Sequence, residues 1–225
     1  TGTSFTYDIT APTISGGVAI TSATGIQNNL LNAGDNVSVT VTFSESVIVD
    51  NASGTPTLTL VVGSTDRAAT YTSGSGGTTL VFQYTIQAGD NDTDGISIGA
   101  DALALDNGTI SDPAGNNAIL THSAVSDNNS YKVDTTAPTV DNFTLSDTAL
   151  KAGDNATVSL VFSEAVFGFA SAADITDPSG TLAAMTSSDN ITWTGTFTPT
   201  ANTEDASNTL SLATSWTDLA GNAGP

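Results

Sequence analysis

The chain repeats itself, and this repeat constrains the fold more than any other feature. Four short motifs occur twice in the same order, and the spacing between the two copies shrinks along the chain. The first copies are Asp8–Thr13, Ala33–Asn36, Thr42–Val47 and Asp112–Asn116, and the second copies are Asp134–Thr139, Ala152–Asn155, Val161–Val166 and Asp218–Asn222. Repeated segments of one chain fold into similar units. We therefore predict two related domains, of which the second is shorter.

Each copy carries the alternating pattern of β-strands. Val37–Phe43 alternates strictly between apolar and polar residues, and Val158–Phe162 does so more loosely, as expected of strands with one buried face. Further strands are predicted at Ile14–Thr21, Thr57–Val62, Ala68–Thr72, Thr79–Ile86, Leu103–Ile110 and Ile119–Val133, the last of them interrupted. Nearly all the acidic residues are Asp, which favours turns over helices. About seven short strands per hundred residues are typical of immunoglobulin-like sandwiches, so we predict an all-β chain of two tandem Ig-like Greek-key β-sandwiches.

The four motifs, in this order, resemble the bacterial Ig-like repeats of very large cell-surface and biofilm adhesins. The resemblance extends from Asp8 to Asn222. It implies a non-enzymatic extracellular module, on the cell surface or in a secreted fibre, that forms part of a stalk and contacts neighbouring Ig-like repeats. It also implies calcium at domain junctions, because many such stalks are stiffened in this way.

The repeat also sets the expected domain limits. Residues 4–8 align with residues 130–134, which end the first copy. We therefore expect residues 1–8 to be the last strand of a preceding or neighbouring-subunit domain, 9–134 to be the first Ig-like domain, and 135–225 to be the second, without its final strand. An excerpt from a longer tandem array would explain this arrangement, and so would identical subunits joined end to end by strand exchange. The strand-exchange candidates are Ser4, Phe5, Thr6 and Tyr7; a flexible tail is the third interpretation.

Strand alternation is expected to gather acidic loops at one pole of each copy. The residues concerned are Asp8, Glu45 and Asp112 in the first copy, and Asp134, Glu164 and Asp218 in the second. Asp35 and the loop at 90–94 are expected at the opposite pole of the first domain, towards the second. Grouped carboxylates repel one another unless a cation neutralises them, and oxygen ligands without His or Cys favour Ca²⁺. We predict calcium at the junction; the alternative is that these Asp side chains only cap turns.

The loop from Asp90 to Gly95 matches the first half of an EF-hand calcium loop. Asp90, Asp92, Asp94 and Asp101 would be its ligands. The loop has no flanking helices, and Asp101 stands where a Glu is usual, which would weaken bidentate binding. The same residues are also compatible with a polar turn, or with a contribution to the junction cluster.

Charge and composition exclude several functions. The chain has a formal net charge of −20 with only 3 Lys and Arg residues, which argues against nucleic acid or anionic membrane as a partner. It has no Cys and one His, His122, which we expect at the surface or an edge, and no apolar run long enough to insert into a membrane. The predicted function is therefore a stalk repeat rather than an enzyme, with a strand-exchanging filament subunit as the alternative.

Overall fold

A computed structural model describes residues 2–3, 5 and 7–224 of the chain. It contains two compact units, Thr1–Thr135 and Thr136–Pro225. Both units consist of strands and loops, and one helix of four residues lies in the second unit. The prediction of an all-β, Ig-like fold is confirmed. No helix in the described part of the chain is long and apolar enough to span a bilayer.

Ten strands lie in the described part of the first unit. They are β1 (Ile14–Thr24), β2 (Leu30–Leu31), β3 (Asn36–Asp50), β4 (Thr57–Val62), β5 (Thr65–Ser73), β6 (Gly77–Thr85), β7 (Asn91–Asp92), β8 (Leu103–Ala104), β9 (Thr109–Ser111) and β10 (Lys132–Asp134). The larger sheet has the order β1-β3-β6-β5-β4-β8, and β9 pairs with β3. Its paired neighbours are all antiparallel.

Alternation along the strands builds the core of the first unit. In β3, Val37, Val39 and Val41 are fully buried while the residues between them are half-buried. The same period places Leu58 and Leu60 of β4 in the core. Each such side chain stabilises the fold by about 1.5–3 kcal/mol relative to its exposed state. The apolar faces of these strands therefore contribute to the core of the first unit.

A smaller sheet of the first unit has the order β2-β10-β7. Here β10 runs parallel to β2, with Val133 opposite Leu31. It runs antiparallel to β7, with Val133 opposite Asp92. Leu31 and Val133 are both buried. The last strand of the unit is thus a central strand that closes the core from the side of β2.

Between residues 136 and 224, the second unit has six strands and a short helix. They are β11 (Val140–Leu145), β12 (Ala156–Phe162), α1 (Ser171–Asp174), β13 (Ile175–Thr176), β14 (Gly180–Leu182), β15 (Thr192–Pro199) and β16 (Ser211–Leu212). One sheet has the order β11-β12-β15-β14, and the other pairs β13 with β16. Phe162 lies at the centre of the core, with its ring centroid 4.6 Å from Trp216 and 5.7 Å from Phe169. Aromatic side chains thus supply much of the smaller core.

One strand prediction is wrong in part, and another strand is interrupted, as predicted. The predicted strand Leu103–Ile110 is two strands, β8 and β9, separated by a turn in which Asp106 and Asn107 have positive φ; Asp and Asn tolerate this conformation. The predicted strand Ile119–Val133 forms a named strand only at its end, in β10, with isolated bridges at Ile119 and Val125. Its backbone is held largely by loop contacts instead of a continuous ladder.

Candidate functional site

Three carboxylates meet in the first unit. Asp8, Glu45 and Asp112 each place one carboxylate oxygen within 4.8 Å of the other two. Asp8 precedes β1, and Asp112 directly follows β9. Glu45 lies where the register between β3 and β6 breaks, between Thr42 and Val47. The three groups predicted at one pole of the first copy are therefore brought together from three distant chain segments.

The Phe-Ser-Glu and Ala-Pro-Thr motifs hold two of these segments side by side. The backbone N–H of Ser44 donates to the carbonyl of Thr13 at 2.8 Å. In return the N–H of Thr13 donates to the Ser44 hydroxyl at 3.0 Å. This reciprocal pair fixes the chain just after Asp8 against the strand that carries Glu45.

The Asp-Pro-Ala-Gly-Asn motif is a closed turn around the Asp112 carboxylate. The Asn116 N–H donates to Asp112 Oδ1 at 2.8 Å, and Asn116 Nδ2 donates to Oδ2 at 2.7 Å. Asn116 Nδ2 also donates to the carbonyl of Asp8 at 3.2 Å. Gly115 has a φ of 95°, a backbone conformation that residues other than Gly rarely adopt. The motif therefore orients a buried carboxylate and ties it to the segment that carries Asp8.

Negative charges lie close together in the cluster of Asp8, Glu45 and Asp112. Burial raises the pKa of Glu45, and the nearby charges of Asp8 and Asp112 raise it further. Burial also acts to raise the pKa of Asp112, but its hydrogen bonds with Asn116 outweigh this effect and lower it. Asp112 thus stays ionised beside a glutamate whose charged form is disfavoured, and a cation placed here would relieve the repulsion.

The second unit contains the same type of closed turn, here around the Asp218 carboxylate. A carboxylate oxygen of Glu164 lies within 4.8 Å of one of Asp218. Asn222 donates its N–H to Asp218 Oδ1 at 2.8 Å and its Nδ2 to Oδ2 at 2.7 Å, as Asn116 does for Asp112. Asp134, the third residue predicted for this copy, lies at the end of β10 in the first unit, opposite Asn91.

Asp90, predicted as a calcium ligand of an EF-hand-like loop, lies in an ion pair. Its buried carboxylate contacts Arg67 at 2.6 Å and also accepts hydrogen bonds from Gln87 N–H, at 2.9 Å, and from the Tyr84 hydroxyl. Burial acts to raise the pKa of Asp90, but the hydrogen bonds with Tyr84, Gln87 and Arg67 prevail and lower it. Burial, together with the hydrogen bond to Asp90, raises the pKa of Tyr84 to about 12. Sequence reasoning missed this network because Arg67 lies 23 residues before Asp90, too far for a local motif to show.

Three of the other predicted ligands of that loop and of the opposite pole, Asp92, Asp35 and Asp101, bond to backbone groups. Buried Asp92 accepts the N–H groups of Gly63 and Gly95, each at 2.7 Å. Asp35 accepts the N–H of Asn32 at 2.9 Å, and Asp101 accepts that of His122 at 2.9 Å. Asp94 is exposed. Within the described residues, these side chains do not converge on a common point as the Asp8 cluster does.

The His122 side chain contacts backbone groups through both of its ring nitrogens. It was predicted at the surface or an edge, but it is buried. Its Nε2 accepts the N–H of Ala102 at 2.9 Å, and its Nδ1 lies 2.9 Å from the carbonyl of Ser123. Both ring nitrogens therefore contact the backbone, and the ring joins the loop after residue 101 to the segment after residue 120.

The strand-exchange candidates lie before β1. Phe5 and Tyr7 are 88% and 81% exposed and belong to no strand. Ser4 and Thr6 lie outside the described residues.

Comparison with known proteins identifies the second repeat. A family model described as bacterial Ig-like domain matches residues 134–225. Residues 134–225 therefore resemble bacterial Ig-like domains. The predicted resemblance is thus confirmed, and bacterial Ig-like domains are typically extracellular and generally not enzymes. The count of two Ig-like domains and the limits 1–8, 9–134 and 135–225 stay predictions. No curated protein matches the chain.

Proposed function

We propose that this chain is a non-enzymatic structural module of an extracellular bacterial protein, a stalk repeat of a large adhesin that calcium stiffens. The observation that carries the proposal is the meeting of Asp8, Glu45 and Asp112 within 4.8 Å, in a chain whose second repeat resembles a bacterial Ig-like domain. Such domains are generally not catalytic, so a mechanical role accounts for the repeat without requiring a substrate.

The residues fit a hard cation. Calcium takes 6–8 oxygen ligands, from carboxylates, backbone carbonyls and water. Asp8, Glu45 and Asp112 would supply three carboxylates, and the chain has no Cys and only one His to favour a softer metal. Asp112 is already oriented by Asn116. By motif equivalence, Asp134, Glu164 and Asp218 would be the corresponding ligands of the second repeat.

Calcium would act as a crosslink between chain segments. It would join the segment before β1 to β3 and to the turn after β9, and this would fix the path by which the chain enters the unit. A stalk gains stiffness when such a segment stops moving. The same ion would also offset part of the charge of −20.

Thermal unfolding in EDTA and in millimolar calcium tests the proposal. A ligand that binds only the folded state stabilises it by about 2.7 kcal/mol at one hundred times its dissociation constant, so calcium is expected to raise the melting temperature by several degrees. Glu45→Gln should remove this rise for the first unit, and Glu164→Gln should remove it for the second. Asp66→Asn is the matched control, because it removes one exposed carboxylate in β5, outside both motifs.

The outcomes separate clearly. If the parent chain melts at the same temperature in EDTA and in calcium, the calcium proposal is wrong. A rise that survives in Glu45→Gln and Glu164→Gln as well as in Asp66→Asn would mean that calcium binds elsewhere.

A further inference from the structure

The turn between β8 and β9 contains the only Asn-Gly dipeptide of the chain, Asn107-Gly108. Asp106 and Asn107 have φ values of 49° and 70°, and the N–H of Gly108 donates to the carbonyl of Leu105 at 2.8 Å. Positive φ at both central residues and a hydrogen bond of this kind are the features of a type I′ turn. Asp and Asn adopt this left-handed conformation more readily than most residues with a side chain. The residue types at 106 and 107 therefore suit the turn.

The glycine at position 108 is required by a close contact with the loop after β3. Gly108 is buried, and a Cβ atom on it would lie 2.4 Å from the carbonyl oxygen of Gly54 and 3.0 Å from that of Asp50. A Cβ atom on Gly54 would in turn lie 1.7 Å from the carbonyl oxygen of Asp106. The two backbone segments therefore touch, and no side chain fits between them. Turn geometry and packing together place an asparagine directly before a glycine.

This dipeptide is chemically labile. The backbone nitrogen of the residue after an asparagine can attack the side-chain carbonyl carbon, and a glycine, which has no Cβ, hinders the attack least. Here the Gly108 nitrogen would lose its proton and bond to Asn107 Cγ, while the bond from Cγ to Nδ2 breaks and ammonia leaves. Water would then open the cyclic imide at either of its carbonyl carbons. The product is aspartate or isoaspartate at position 107, and in isoaspartate the main chain runs through Cβ and Cγ.

The closed turn blocks the attacking nitrogen. The N–H of Gly108 is bonded to Leu105 and the residue is buried, so the nitrogen is held away from a solvent base and from the Asn107 side chain. Two further contacts hold the turn in place. The Thr57 hydroxyl donates to the Asp106 carboxylate, and the loop after β3 packs against the turn backbone. The reaction therefore requires a local opening of the turn.

We propose that Asn107 is a deamidation site and that the turn between β8 and β9 controls its reaction. Isoaspartate adds a methylene group to the main chain, so the turn cannot close again with its original hydrogen bond. β9 begins at Thr109, which pairs with Asp50 of β3, and ends one residue before Asp112. Each opening that leads to reaction thus loosens the strand that carries Asp112. The inference goes beyond the calcium proposal and does not depend on it, because the reaction needs only water.

Peptide mapping by mass spectrometry tests the site. The full chain is incubated in EDTA at mildly alkaline pH, with a peptide of residues 103–112 as the unfolded reference. Replacement of –NH₂ by –OH changes the mass at position 107, and isoaspartate separates from aspartate by chromatography. Deamidation should be at least about 10-fold slower in the full chain, because opening limits it there. Asn51, which is exposed in a loop and precedes Ala52, is the internal control and should react far more slowly than Asn107 does in the peptide.

Weakening the turn tests the control of the reaction. Thr57→Val removes the hydroxyl that donates to Asp106 and keeps a β-branched residue in β4. Loss of one hydrogen bond should raise the deamidation rate of the folded chain about 2- to 10-fold. The hydrogen-exchange rate of the Gly108 N–H should rise by the same factor, since both reactions need the same opening. Thr59→Val is the matched control, because it changes the same residue type on the same face of β4, and it should alter neither rate.

The consequence of the modification is measured separately. Asn107→Asp adds the negative charge without the extra methylene group, and Asp tolerates the left-handed conformation, so the urea midpoint of the first unit should stay close to that of the parent. The chain that carries isoaspartate at position 107, purified after incubation, should unfold at a clearly lower urea concentration. Tyrosine fluorescence in EDTA follows both transitions.

Three results would overturn the inference. One is that position 107 deamidates no faster in the peptide than in the full chain. Another is that Thr57→Val leaves the rate unchanged, or that Thr59→Val raises it equally. The third is that the chain with isoaspartate at position 107 has the same urea midpoint as the parent. The turn would then neither protect Asn107 nor depend on its normal backbone.

Discussion

The Tyr84 hydroxyl is one of three hydrogen-bond donors to the buried carboxylate of Asp90, and its contribution to stability can be measured. Tyr84→Phe removes one O–H and leaves the ring, which is 7% exposed, in place. Asp90 keeps Arg67 and Gln87 but loses one of its donors. A hydrogen bond to a charged group contributes about 1.5–3 kcal/mol. We expect the free energy of unfolding of the first unit to fall by about 1.5–2 kcal/mol at pH 7, because two partners remain.

The pH dependence of the stability lost in Tyr84→Phe shows whether that loss comes from the charged Asp90 carboxylate. The pKa of Asp90 is lowered in the folded state, so its contribution to stability is present above the unfolded pKa of about 3.9. That contribution is lost as pH falls through the folded value. The stability difference between the parent and Tyr84→Phe should therefore narrow as pH falls through the folded pKa of Asp90, which lies below its usual value of 3.8, because the acceptor becomes neutral there.

Urea unfolding in EDTA provides the assay, and the aromatic residues provide separate probes. All 4 Tyr lie in the first unit and both Trp, Trp193 and Trp216, lie in the second. Tyrosine signals thus follow one unit and tryptophan fluorescence the other. The tryptophan-detected transition should be the same in the parent and in the variant, which makes it an internal control.

Tyr71→Phe is the matched control substitution. The Tyr71 hydroxyl accepts a hydrogen bond from the exposed Ser75 N–H at 3.0 Å, so its loss should cost no more than about 1 kcal/mol at any pH. The reasoning is refuted if both Tyr→Phe variants lose the same stability, or if the loss in Tyr84→Phe is as large at pH 2.5 as at pH 7.

Three further outcomes are expected. In a spectrophotometric titration, Tyr84 should ionise at about pH 12, and this late component should be absent from Tyr84→Phe; the pKa is raised, so the stabilisation by neutral Tyr84 is lost as pH rises through that value. Gly115→Ala should destabilise the first unit by about 1–2 kcal/mol in a urea titration, since the positive φ penalises any side chain. Phe162→Ala should cost the second unit about 3–5 kcal/mol, detected by tryptophan fluorescence, while the tyrosine-detected transition stays unchanged.

Local pattern predicted the strands whose side chains alternate between core and solvent. Thr57–Val62 is a strand with the predicted bounds, and Val37–Phe43 lies inside β3. The pattern was misleading where polar residues interrupt it. In the segment from 119 to 131, backbone groups bond to side chains: the N–H of His122 donates to Asp101 and that of Ser130 donates to Asn128. A period of two in the sequence does not reveal such contacts.

The candidate site was predictable to the extent that it depends on the repeat. The repeated motifs indicated that Asp8, Glu45 and Asp112 would share a pole, and in the structure their oxygens meet. The role of Asp90 was not predictable from its loop. Its partner Arg67 comes from another hairpin, and a spacing motif contains no information about a long-range cation. Calcium itself stays a prediction.

The position of β10 at the end of the first unit affects how this unit folds during synthesis. Its pairing with β2 joins residues separated by about 100 positions, and loops of this length are entropically costly to close. At a synthesis rate of about 5–20 residues per second, β10 emerges roughly 5–20 s after β2. During this interval Leu31 cannot make its native contact with Val133. The nascent unit is therefore exposed to aggregation and proteolysis for seconds. The interval ends when β10, a strand of three residues, has been synthesised and pairs with β2.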